Sequence, residues 1–109
     1  MHRASEVLVE FDEAITSDSG AAYHARVLGA PGADGLWTGW LEFSPAGGDR
    51  PALETDRETT QPNRTDLAYW AAGLSRVYLQ GALTRALDHA GIEHTTGRPR
   101  FDATGRAVP

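Results

Sequence analysis

The chain reads as an α+β domain: a four-stranded antiparallel β-meander, one long α-helix packed on one face of the sheet, and an irregular C-terminal tail. Three features point there. Short strand-like runs recur through residues 1–61, each closed by a loop of glycine, proline, serine or aspartate. A proline-free stretch of helical periodicity follows. The remaining residues, from 92 onward, hold too few apolar side chains to build structure of their own.

The strands are expected at about 6–12, 21–29, 36–44 and 52–60. In the first, Val7, Val9 and Phe11 share a face and Glu10 takes the other. Thr16 to Gly20 is turn composition. The second places Tyr23, Ala25 and Val27 opposite His24 and Arg26. Between the second and third lies G-A-P-G-A-D-G, whose Asp34-Gly35 pair signals a hairpin. The third, L-W-T-G-W-L-E-F, sets Trp37, Leu41 and Phe43 toward the helix and Trp40 and Glu42 away from it. The fourth is more polar.

The helix is expected at about 65–89. Asn63 and Thr65 are candidate caps, Asp66 suits the positive end of the helix dipole, and Gly91 supplies a stop. At 100° per residue, Leu67, Trp70, Ala71, Leu74 and Tyr78 form one stripe, and Ala68, Ala72, Leu79, Leu83, Ala86 and Leu87 form a second apolar shoulder. That arc is wider than the ~100° stripe one sheet face requires. A helix of this extent is also about 37 Å long, more than strands near 20 Å can cover. The surplus predicts a second contact face, and Trp40, Ala72, Leu79, Leu83, Ala86 and Leu87 are the candidate interface, most simply with another copy of the helix.

Composition bounds the rest. At 109 residues the chain forms one domain, expected at 1–91, with 92–109 a flexible or loosely docked tail. No apolar run approaches a membrane span, and the first residues lack a secretory signal, so a cytoplasmic protein is expected. The chain has no cysteine and no lysine, which excludes disulfides, zinc–thiolate sites, Schiff bases and a lysine-dependent phosphate loop. Residues 1–61 carry eleven acids and four arginines, and residues 62–109 four acids and six arginines. An acidic sheet half is a poor nucleic-acid surface.

Candidate sites are few. Arg57, Gln61, Asn63 and Arg64 sit around the expected helix N-terminus, where free N–H groups favour anions, and form the candidate ligand site. Asp56 and Glu58 read as solvated acids on an edge strand. Ser75 lies in G-L-S-R-V, which lacks the second glycine of a nucleophile elbow. The four histidines lack metal-ligand spacing. No catalytic, metal or cofactor signature emerges. The expectation is a non-enzymatic interaction module that homodimerises through its helix; the alternative is a binder of a small anionic ligand, or an enzyme, working near the turn before the helix.

Overall fold

The computed structural model describes residues 5–48, 50–91, 100–101 and 107–108. It is an α+β fold with an antiparallel sheet of six strands and two helices in its main body. The strands are β1 (Glu6–Glu10), β2 (Ile15–Thr16), β3 (Ala22–Pro31), β4 (Trp37–Pro45), β5 (Leu53–Glu54) and β6 (Thr59–Gln61). The helices are α1 (Arg64–Ala72) and α2 (Arg76–Ala90). Two short strands, β7 (Arg100–Phe101) and β8 (Ala107–Val108), pair with each other in a separate sheet. The rest of the expected tail lies outside the described residues.

The β3–β4 hairpin is the spine. Its turn is held by Gly32 N–H to Leu36 O (2.7 Å) and by the Asp34 carboxylate, which accepts from Leu36 N–H (3.0 Å). On one side β1 and β2 pair in turn with β3; on the other, β6 and β5 pair in turn with β4. The meander therefore has four lanes, but each outer lane is broken, so the expected continuous strands at 6–12 and 52–60 are not found. Ile15–Thr16 re-forms the first lane up to the start of the expected turn, taking in Thr16, and Ile15 is buried. In the fourth lane Thr55 N–H still reaches Leu41 O at 2.9 Å and Glu58 N–H reaches Gly39 O at 2.8 Å, with Asp56 and Arg57 as an interruption between them.

The helix face of the sheet carries Tyr23, Ala25, Val27, Leu41 and Phe43, all buried. The register of β1 shifts between Val7 and Val9: Val9 pairs with Val27, but Val7 pairs with Leu28. Because strand side chains alternate, one extra residue exchanges the faces. Val7 is left exposed, and Leu8 takes its place under α1, near Gly29 and Leu67.

The single long helix is corrected to two. Gly73 caps α1, its N–H reaching Trp70 O at 3.2 Å, and Ser75 opens α2 by accepting from Tyr78 N–H at 3.1 Å. Glycine is a weak helix former and serine a strong N-cap, so Gly73-Leu74-Ser75 reads locally as stop and restart. The break also resolves the length problem. α1 packs over β1, β6 and the hairpin end of β3 and β4, while α2 packs over β2 and β5. Each piece covers one half of the sheet, and a helix too long for its sheet becomes two that fit.

The wide apolar arc is absorbed accordingly. Leu79, Leu83, Ala86 and Leu87 are buried in the chain's own core with Phe43, Leu53 and Ile15. Trp40, expected on an open face, is only 9% exposed and clusters with Leu28 and Ala30 on the sheet face away from the helices. Of the six interface candidates, Ala72 alone is exposed. Among the described residues no helix is long and apolar enough to cross a membrane.

Candidate functional site

The residues expected to ring the helix N-terminus go to separate partners or hollows. Asn63 is the N-cap of α1, its Oδ1 accepting from Asp66 N–H at 2.8 Å. Arg64 is occupied by Glu6, with Nε at 2.9 Å and Nη2 at 2.6 Å from Oε2. Each holds the other charged: the Arg64 hydrogen bond keeps the Glu6 carboxyl below its ordinary value, and Glu6 raises Arg64. Gln61 donates through Nε2 to Thr59 Oγ1 at 2.8 Å. Arg57 is exposed and lines a different hollow, of about 310 Å³, with Thr38, Trp40, Glu54, Thr55 and Asp56.

What the structure does bring together lies at the helix break. In an unbroken helix Trp70 and Tyr78, eight residues apart, would stand about 12 Å apart along the axis. Here their ring centroids are 6.1 Å apart with planes at 89°, an edge-to-face contact. Beside them opens a groove of about 520 Å³ lined by Gln61, Asp66, Tyr69, Trp70, Gly73, Leu74 and Tyr78. Helical spacing explains part of the lining: 66, 69, 70 and 73 follow i, i+3, i+4, i+7 and so share one face of α1. Tyr69 is 84% exposed on its rim, and Val77 at the start of α2 is 82% exposed. These are the two most exposed large hydrophobic side chains of the described residues.

Beneath this groove Glu58 organises a polar cluster. Its side chain is 4% exposed, turned inward after the interruption at Asp56 and Arg57 rather than out along the edge. Arg85 donates to both its oxygens, Nη1 to Oε2 at 2.9 Å and Nη2 to Oε1 at 3.1 Å, and Tyr78 donates its hydroxyl to Oε1 at 2.5 Å. Burial pushes the Glu58 carboxyl upward, but the hydrogen bonds from Arg85, Tyr78 and Thr55 outweigh it and hold the group below the ordinary carboxylate range. Burial, and then the hydrogen bond to Glu58, raise the Tyr78 phenol. Near neutral pH the cluster is thus a carboxylate, a phenol and a guanidinium with matched partners. It fixes the Tyr78 ring in position; it offers neither a free base nor an activated nucleophile.

Ser75 is likewise occupied, as the cap of α2. Among the described residues no group of three His, Cys, Asp or Glu side chains is placed to hold a metal. A third hollow, of about 240 Å³, lies between the β1–β2 connection and α2, where Arg76 pairs with Glu13 at 3.0 Å. Sequence reasoning passed over Tyr69, Trp70, Tyr78, Glu58 and Arg85 as a group because it treated 65–89 as one rod. The signal that would have found them is Gly73-Leu74-Ser75. The chain matches no protein-family model, no curated protein and no solved structure.

Proposed function

We propose that the protein is a non-enzymatic interaction module of the cytoplasm that takes a segment of a partner protein into the groove at the helix break. The observation that carries this reading is the juxtaposition of Tyr69, Trp70 and Tyr78 around an open groove, with Tyr69 nearly bare on its rim. Aromatic residues lining a surface concavity, with one polar edge, are the composition from which interface anchors are drawn. Enzymatic chemistry has less support, since the buried carboxylate is saturated by its neighbours.

The test is co-purification from the native host with the wild-type chain and two variants, Gly73→Leu and Tyr69→Glu. Gly73 has φ −91°, and a Cβ there meets only the Tyr69 and Trp70 carbonyl oxygens at 3.7 Å, so a side chain enters the groove without backbone strain. Proteins recovered with the wild type and lost with both variants, at unaltered melting temperature, support the reading. An identical set recovered with all three removes it.

Homodimerisation is the second form of this proposal, favoured by the exposure of Tyr69 and Ala72 on α1 and of Val77 on α2. It would use these side chains rather than Leu79, Leu83, Ala86 and Leu87. A dimer mass in native mass spectrometry that becomes a monomer mass in Val77→Glu supports it. A monomer in both removes it.

A further inference from the structure

We infer that the groove is a cation-accepting site and that the partner side chain it receives is an arginine. The inference rests on the interaction reading above and specifies its chemistry. Among the groove's lining side chains Asp66 is the one that carries a charge. Its carboxylate is free of the capping role, which Asn63 performs through Asp66 N–H. The arginine of the same helix turn, Arg64, is held by Glu6, and the acid beneath the groove, Glu58, is already matched by Arg85. Among the described side chains that line the groove, one exposed carboxylate therefore stands with three aromatic rings. Ring faces carry negative potential and attract cations. Gln61 adds a second acceptor: its Nε2 is engaged with Thr59, which leaves its amide oxygen for a donor in the groove.

The shape selects among cations. The groove is open along one side, where Asp66, Tyr69 and Gly73 are exposed, so it does not enclose a compact ammonium and strip its water. A guanidinium is planar and weakly hydrated; it lies flat on a ring while donating sideways to a carboxylate and an amide oxygen at once. Its stem covers apolar floor such as Leu74. The chain already contains one such contact, with the Arg50 guanidinium 5.2 Å over the Tyr23 ring. Among the described residues no cation lines the groove, which disfavours an acidic or phosphorylated segment there.

The test is a titration of the ¹⁵N-labelled full chain with three capped tripeptides, Ac-Gly-Arg-Gly-NH₂ and its norleucine and glutamate counterparts. The arginine peptide is expected to shift amides of residues 66–78 and the Trp70 indole. Asp66→Asn is expected to weaken it by about two- to five-fold, the range of an exposed cation contact, and added salt should weaken it further. The glutamate peptide should shift nothing there. Equal shifts from the arginine and norleucine peptides, insensitive to Asp66→Asn, overturn the arginine assignment and leave an apolar docking groove, so the interaction reading survives. No shift from the arginine peptide also overturns the assignment. The interaction reading falls with it only when Gly73→Leu in addition leaves partner recovery unchanged.

Discussion

Leu67 shows how single residues place the groove. It is fully buried, and its methyl groups descend onto Gly29 and Gly39, which pair across the β3–β4 hairpin. A Cβ at Gly39 would lie 2.6 Å from Leu67 Cδ1, and one at Gly29 2.7 Å from Leu67 Cδ2 and 2.9 Å from Leu8 Cδ1. These glycines let α1 approach the sheet closely. Gly39→Ala is expected to lower stability by about 1–3 kcal/mol, the ordinary range for overpacking, read as a lower urea midpoint with an unchanged slope. An unchanged midpoint would show that Leu67 has room to move. Glu58 makes a second prediction at the same level. Its folded carboxyl titrates below the unfolded one, so in acid the unfolded chain binds the extra proton first. Its contribution is present above the ordinary carboxylate range, roughly pH 4 to 5, and is lost as pH falls through the folded value. Glu58→Gln should therefore lower stability at neutral pH by about 1–3 kcal/mol and flatten the acid limb of the stability profile. A parallel acid limb in wild type and variant would show that other carboxylates govern it.

Among the elements, the outline of the fold was legible in the sequence, and the breaks within it were not. The long inner strands and their Asp34-Gly35 turn follow from alternation and turn chemistry that any window of the sequence displays. The boundaries of the helical region follow from Asn63 and from Gly91, which takes the left-handed conformation at φ 73°. The interruptions depend on tertiary fit. Val7 loses its inward place to Leu8 beneath α1, and the interruption at Asp56 and Arg57 lets Glu58 meet Arg85 and Tyr78. No periodicity reports such needs. The aromatic groove was illegible for the same reason: it exists only where α1 and α2 part. Ser75→Ala tests that junction. Loss of the cap should cost about 1 kcal/mol, while Gly73→Ala, unstrained at φ −91°, should be nearly neutral. If chemical denaturation finds the two equal, the junction is not set by the serine cap.

For the molecule as a whole, the distribution of apolar surface separates what folds the chain from what the chain presents. One continuous cluster runs from Ile15 and Tyr23 on the sheet to Leu83 and Leu87 on α2, and it closes without a second copy of the chain. Val77 belongs to the same helix and stands in solvent. Two substitutions of like chemistry therefore have opposite outcomes. Leu83→Glu places a carboxylate where no water and no partner reaches, and the core gives way sooner than bury it, so the variant should be unfolded or molten at every protein concentration. Val77→Glu adds a solvated charge and should change stability by no more than about 0.5 kcal/mol. Circular dichroism melts at two concentrations a hundred-fold apart check both. If folding instead required assembly, the wild-type melting temperature would rise with concentration, because a partner that binds only the native chain stabilises by mass action. A concentration-independent transition in the wild type, together with a folded Val77→Glu and an unfolded Leu83→Glu, would establish that α2 turns its leucines toward its own sheet and that the exposed Val77 is not needed for folding.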